Sequence, residues 1–536
     1  MSPKPIADRK SSQIPNSGRM FRASFVLTFV FFLGSLLSLL NQLTLAKTLG
    51  AAADMDAYLV AISLPLLVSG VIGSAISYSM VPLFVRKSAE DVPGYKEFST
   101  MTLISVAFIS IVLVLIGYFA APTFIAAFAS SFPSPLRLRT ISMAEVAWIS
   151  AGLVLIMNCL SAMQNAAKQF AIPAIVATLP YVGTISFGLW VGRSWGPIAF
   201  VWGMLVGYLA AVLVLLLQTK RDLGLSLKSF KDWQSLRAYF ATMPLTIIAM
   251  LVFSAHQFID AYWAPKLGEA ALSYLGYAQR LLIGVGGIVL VAPSTVLVPR
   301  MTESISQGQT ERFLNDCLRA VRTVVAFSGV SAVVISILAV PIIELVFQRG
   351  AFDHHATLGL SSILPLMMLG MTAMVGVVVL FRAIFAKPDV NAGVALGLLA
   401  AGTYFGFSGA FSRFFGLSGI AAAYAASWWL VLLVALMAFC RGQMKILIST
   451  SNSNFVLQLL ITLVCIALTI YIGNILIIRP LEAIGIFSLA LRVSAIAIFG
   501  LGLFYLLGVQ VFRMPDVRLV FDFLIRRSPF RENART

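Results

Sequence analysis

Charge is scarce in this chain: 11% of its 536 residues are Asp, Glu, Lys or Arg, less than half of the roughly 25% usual in a soluble domain. Histidine is scarcer still, with His256, His354 and His355 alone, and the four cysteines, Cys159, Cys317, Cys440 and Cys465, lie far apart. Neither set has CxxC or metal-ligand spacing, which excludes a disulfide framework and a recognisable metal site. The cysteines are expected to be packing residues, and FDHHA a solvated loop. Acidic residues are also few, 21 against 38 Lys and Arg, for a net charge of +17. A basic excess alone suggests nucleic acid, but no basic soluble domain exists to carry it, so a nucleic-acid partner is excluded. Long polar segments are missing too, which leaves no room for a catalytic domain outside the membrane.

What is there is hydrophobic, 60% of the residues, in long runs without strand-like alternation. A hydrocarbon core about 30 Å thick needs roughly 20 apolar residues per helix. Runs of that length fall near 24–46, 57–85, 99–119, 141–162, 171–192, 197–218, 238–262, 268–299, 320–347, 358–386, 391–411, 419–440, 455–477 and 484–512. The fold expected is therefore an all-α integral membrane protein of about fourteen transmembrane helices. An even count puts both termini on one side, and the basic residues agree: 28 of 38 fall on the side of the termini and eight on the other, as the positive-inside rule requires of cytoplasmic termini. The polar leader before residue 24 precedes a run longer than a signal-peptide core and reads as uncleaved.

The chain repeats itself. LAKTLGAAADMDAYLVAISLPLLVSGVIGSAISYSMVP, ending at Pro82, parallels WAPKLGEAALSYLGYAQRLLIGVGGIVLVAPSTVLVP, ending at Pro299. SAMQNAAKQFAIPA around Lys168 parallels RAIFAKPDVNAGVA around Lys387, and GPIAFVWG from Gly196 parallels GLSGIAAAYA from Gly416. The offset stays near 218–220, so spans 1–6 and 7–12 are one six-helix unit used twice, in parallel, around a central cavity. Parallel repeats are related by an axis along the membrane normal, and such transporters bind between the bundles and rock. The organisation expected is a basic N-terminus (1–23), an N-lobe (24–218), a linker (219–237), a C-lobe (238–440), spans 13 and 14 (441–512) and a basic tail (513–536).

Two arginines, Arg280 and Arg492, sit inside apolar spans, where a charge costs at least about 2.5–3.5 kcal/mol on insertion scales. Arg280 lies about twelve residues past Gly268, roughly 18 Å along the helix. Cavity lining, a structural ion pair and snorkelling are the three readings, and cavity lining is the expectation; its repeat partner is Ile62. Gln279 adds polarity beside it, and Gly284 to Gly287 are expected to permit close helix packing. Arg492 either extends the site or locks the last helix to the bundle. His256 and Asp260 share a face of span 7, while Asp54 and Asp56 begin span 2, where Asp56 answers the helix dipole or acts in gating. Ser35, Ser38 and Asn41 form a stripe on span 1, closed by Lys47, that faces a lumen or a neighbouring helix.

The stretches LGAAADMDAYLVAISLP, YAQRLL…VLVP and ELVFQRGAFD, in this order and spacing, resemble the MurJ/MviN branch of the multidrug/oligosaccharidyl-lipid/polysaccharide transporter superfamily. The resemblance implies a flippase, not an enzyme, for a polyprenyl-diphosphate-linked saccharide such as lipid II, acting in a bacterial cytoplasmic membrane. It implies a cationic cavity, with Arg280 on a family cavity arginine and Asp56 on a family aspartate. A groove at spans 13 and 14 would take the lipid tail. The family pattern has arginines where this chain has Ser35 and Asn41, and a glutamate where it has Ile283, so a less charged cavity is expected.

The site expected from these readings comprises Arg280, Arg492, Ser35, Asn41 and Gln279 for substrate, and Asp56, Lys47, His256 and Asp260 for gating or ion pairing. The partners expected are the lipid-linked saccharide, the bilayer and envelope-synthesis enzymes. No metal or cofactor is expected, and both membrane potential and a cation remain open as driving forces. Lipid II and an exopolysaccharide or O-antigen repeat unit both fit. The alternatives are a cation-coupled drug exporter, which favours buried carboxylates, a polyprenyl-phosphate enzyme, which needs a catalytic surface site, and a non-transporting scaffold.

Overall fold

The computed structural model describes residues 17–90, 92–167, 169–222, 247, 254–306, 309–386, 390–441, 450–478, 486–514, 516–518 and 521, and these are helical with no strand. The expectations for the leader before residue 17, for most of the linker and span 7, and for the tail after 521 lie outside the described residues. In chain order the helices are α1 (Ser17–Leu49), α2 (Ala53–Glu90), α3 (Val92–Phe128), α4 (Ser134–Ala166), α5 (Ala171–Val176), α6 (Leu179–Trp190) and α7 (Ile198–Asp222). There follow α8 (His256–Trp263), α9 (Ala271–Ser306), α10 (Thr310–Ile337), α11 (Ala339–Phe347), α12 (His354–Ala386), α13 (Val390–Phe439), α14 (Thr450–Gly473) and α15 (Ile486–Tyr505).

Ten of the described helical segments are long and apolar enough to cross a membrane. One of them, Gly393–Phe439, is 47 residues long and holds two spans, because Gly416 leaves helical geometry at φ 56°. The Tyr404 and Tyr424 rings, on either side of that break, meet at 5.8 Å, so α13 doubles back as a hairpin. With α1 and α9 in the places of spans 1 and 8, and span 7 mostly outside the described residues, the architecture accords with about fourteen helices.

Backbone geometry repeats where the sequence does. Gly196, the counterpart of Gly416, also turns with positive φ, at 68°, and Gly50 and Gly268 do so at 66° and 120°. A left-handed turn favours glycine because a Cβ would crowd the carbonyl. Each lobe is built around equivalent helices: α4 in the N-lobe and α12 in the C-lobe are the most enclosed spans. α4 packs against α2, α3 and α7, and α12 against α9, α10 and α13. α14 and α15 stand outside the repeat, docked on α10 and α11, with most of their apolar surface outward. Past α15, buried Asp516 pairs with Arg322 of α10 at 2.9 Å, and with Arg319 at 4.0 Å.

Candidate functional site: a cavity and gate between the lobes

Among the described residues, the contacts between lobes gather at one end, where the α1–α2 and α8–α9 turns lie. Five hydrogen bonds cross there among the described residues. Asp56 Oδ1, in the first turn of α2, accepts from the Ser273 backbone N–H at 2.7 Å and from the Ser273 hydroxyl. Ser273 is the third residue of α9, so its N–H is one of the donors a helix start leaves without an intrahelical partner. An N-lobe carboxylate thus caps a C-lobe helix, gaining both a hydrogen bond and the favourable end of its dipole.

Two of the other three bonds follow the repeat. Ala351 N–H donates to the Lys47 carbonyl at 3.0 Å, and the Ser131 hydroxyl donates to the Pro265 carbonyl at 2.7 Å. Ser131 and Ala351, and Lys47 and Pro265, are each about 218–220 residues apart, so each lobe's loop grips the other lobe's turn. Tyr277 completes the set by donating its hydroxyl to the Gly50 carbonyl at 2.8 Å. The fit is close: a Cβ on Gly50 would collide with the Ala351 carbonyl, and one on Gly350 with the Lys47 carbonyl. Lys47 therefore serves this interface through its carbonyl.

Behind the gate lies a small cleft of about 70 Å³ between α2 of one lobe and α8 and α9 of the other. Arg280 and its repeat partner Ile62 both line it, which fits a lobe-related pair facing a common axis. Arg280 is exposed within it, and its guanidinium has no ion-pair or hydrogen-bond partner among the described residues. Asp260 shares the cleft, but its oxygens accept from Gln279 Nε2 and the Tyr404 hydroxyl. Gln279 lines the cleft beside Arg280 with its amide N–H engaged by Asp260, and Asp260 ties α8 to α9 and α13 within the C-lobe. His256 stands half-buried at the start of α8, while its neighbour Gln257 reaches the cleft.

The rest of the lining departs from the expected stripe. On α1 the residue lining the cleft is Gln42; Asn41, about 100° away around the helix, is buried outside it, and Ser35 is exposed elsewhere on α1. Gln42, Ser63 and Gln257 were therefore not marked by the Ser35–Ser38–Asn41 pattern, although a glutamine so deep in an apolar span is itself a signal. Arg492 is away from this cleft. It lines a separate, nearly apolar groove of about 530 Å³ between α14 and α15, donating to Ser488 Oγ at 2.6 Å and towards the Ile477 carbonyl at 3.5 Å. Ile477 belongs to the π-helical end of α14, Asn474–Ile478, so the arginine reaches from α15 towards the end of α14 while it lines the groove between them. Of the glycines after Arg280, Gly286 packs against Val375, while Gly284 and Gly287 face open space; close packing accounts for the first and not for the other two.

Two parallel repeats that touch at one end and flank a cavity define a two-lobe membrane transporter of the alternating-access kind. The chain belongs to the MurJ family: a model of the lipid II flippase MurJ matches residues 45–493. Among curated proteins it is 22% identical to the lipid II flippase MurJ of Burkholderia cenocepacia, over 71% of this chain and 76% of that protein. To the probable lipid II flippase MurJ of Thermotoga maritima it is 25% identical, over 75% and 82%. Among solved structures it is similar to a lipid II flippase MurJ in an inward closed conformation, with TM-score 0.75 at 19% identity, covering 90% of this chain and 99% of that one. A multidrug resistance MATE family transporter in an inward-facing conformation follows at 0.67 and 14%, covering 78% and 96%.

Proposed function

We propose that this protein is a flippase that carries a polyprenyl-diphosphate-linked saccharide, lipid II or a related repeat unit, to the outer leaflet of a bacterial cytoplasmic membrane by alternating access. The observation that carries the reading is Arg280, a guanidinium in the cleft between the lobes without a counter-ion in ion-pair range among the described residues. An arginine fork matches the oxygens of a diphosphate, and such a bond is strong where water is scarce. The diphosphate would compensate the charge that the cleft leaves uncompensated, while Gln42, Ser63 and Gln257 offer hydrogen bonds to sugar. With both termini cytoplasmic, as the basic residues indicate, the gate faces outwards and the cleft opens inwards, to receive precursor from envelope-synthesis enzymes. Release requires the five gate bonds to part. Membrane potential or a cation drives the cycle, and Asp260 is the cleft carboxylate through which a cation would act.

Arg280→Ala is expected to abolish transport while leaving the protein inserted and folded. Depletion of the protein, followed by identification of the lipid-linked intermediate retained on the cytoplasmic side, tests the reading directly. Lipid II accumulation selects the peptidoglycan role, and another polyprenyl-diphosphate saccharide selects a polysaccharide role. Absence of any such intermediate refutes flipping.

A further inference from the structure

The repeat that pairs the two loop–turn bonds also pairs the spaces beside them, and the two spaces are unlike. Beside the Ala351–Lys47 bond the space is packed shut. Tyr277, Phe347 and Phe352 are buried together with ring centroids 5.1 to 5.8 Å apart, and Tyr274 lies against Gly359. Beside the Ser131–Pro265 bond the equivalent space is an open cleft of about 550 Å³ on the gate face. Arg139, Lys266, Glu269 and Asp56 line it, and their counterparts at the repeat offset are Gly359, Thr48, Ala51 and Tyr274. One member of the pair has been filled with rings, and the other kept open and furnished with charge.

A second observation marks the open cleft. Asp56 is 1% exposed, and although its Oδ1 holds Ser273, its Oδ2 has no donor in hydrogen-bond geometry among the described residues, the Ala270 backbone N–H acting on the carboxylate only from outside that geometry. A buried carboxylate oxygen without a donor is costly, and this one borders the cleft. Lys266 does not supply the donor, because its ammonium lies over the Tyr262 ring, 3.3 Å from the centroid, and 4.8 Å from that of Trp263. The cleft thus combines two cations without a carboxylate in ion-pair range among the described residues and one carboxylate oxygen waiting for a donor. An anionic group carrying a hydroxyl or amide N–H beside it satisfies both requirements, and a saccharide diphosphate has that chemistry.

We infer that this cleft is a second site for the head group, on the release side of the gate. Arg139 and Lys266 take the diphosphate there, and a sugar donor reaches Asp56 Oδ2. The inference rests on the flippase reading and adds a hand-over to it. The carboxylate that locks the gate through one oxygen reads the departing cargo through the other, so occupancy and gate state share a residue.

Equilibrium dialysis of the purified full-length protein against a radiolabelled, water-soluble probe, citronellyl diphosphate bearing one N-acetylhexosamine, separates the two sites. Wild type is expected to bind two equivalents. Arg280→Ala loses one of them, and the double variant Arg139→Ala/Lys266→Ala loses the other, its affinity there falling about ten- to hundredfold as charge-assisted bonds are removed. The charge-conserving pair Arg139→Lys/Lys266→Arg retains the site, which separates ligand binding from folding. A single equivalent in wild type, or two in the double variant, overturns the inference. Two equivalents in Arg280→Ala with one in the double variant would instead sink the cavity reading and leave the external site standing.

Discussion

The Asp56–Ser273 contact gives the sharpest test of the gate. Asp56→Ala removes the cap on the first turn of α9 and the bond to the Ser273 hydroxyl. A lost cap costs about 0.5–2 kcal/mol, and a hydrogen bond to a charged group about 1.5–3 kcal/mol, so the closed arrangement weakens by roughly 3 kcal/mol. Each 1.4 kcal/mol is tenfold in an equilibrium constant, so the gate-open fraction should rise by about a hundredfold. The readout is external labelling of Ser63→Cys by a membrane-impermeant maleimide, in a chain whose four free cysteines have been replaced. Ser63 lines the cleft behind the gate and bonds only within its own helix, to the Val60 carbonyl, so a cysteine there reports access without disturbing the lock. Labelling should accelerate by up to about two orders of magnitude in Asp56→Ala, and by less in Asp56→Asn, which keeps an acceptor. Equal rates in parent and Asp56→Ala would refute the gate assignment.

The same assay reads the other locks. Tyr277→Phe, which loses one bond of about 0.5–1.5 kcal/mol, should raise labelling by about two- to tenfold, and an unchanged rate would remove Tyr277 from the gate. Gly350→Val places a branched side chain at a residue with φ of 64° and against the Lys47 carbonyl, so it should open the gate at least as far as Asp56→Ala; retention of parent rates would contradict the interlock. Arg492→Leu should lower the unfolding temperature, by releasing α15 from α14, and leave probe binding at Arg280 intact, which calorimetry and dialysis together check. Burial pushes the Asp516 carboxyl above its ordinary range, with Arg322 and Arg319 pulling it back. A raised folded pKa gives stability that is full in acid and lost as pH rises through that pKa, so Asp516→Asn should flatten the acid side of the stability profile measured by thermal unfolding.

Spans and repeat were legible because each rests on a pattern spread over many residues: apolar length and a constant offset. The place of Arg280 was legible for the same reason, since the repeat put it opposite Ile62 and the lobes put both on one cleft. Single-residue rotation was not. On α1, Asn41 and Gln42 differ by about 100°, and the neighbouring α6 and α5, which α1 packs on, decide which of them reaches the cavity. Arg492 shows the same limit: depth in a span reveals a charge that needs a partner, but the π-turn at the end of α14 that supplies a carbonyl leaves no mark in the sequence. The gate bonds were hidden because three of the five use backbone carbonyls as acceptors and carry no side-chain signature there.

What the repeat predicts and what it fails to predict divide the protein into two kinds of part. The hinge-like elements obey it: positive-φ glycines at matched positions, matched loop–turn bonds, and α4 and α12 at the centre of each lobe. Rocking two lobes about a common axis needs these parts to be alike. The chemical elements break it: Arg280 against Ile62, Asp56 against Tyr274, Arg139 against Gly359. A symmetric pair of cationic walls would hold a diphosphate from both lobes at once and resist their separation, since every charge-assisted bond across the divide adds about 1.5–3 kcal/mol to opening. On the proposed flippase reading, concentrating the cleft cation on one lobe would let the head group stay with the C-lobe while the N-lobe swings away. It follows that Ile62→Arg, which restores symmetry at the cleft, should bind the soluble diphosphate probe more tightly than wild type yet transport more slowly. Faster transport in that variant would show that the asymmetry of the cleft is incidental to the cycle.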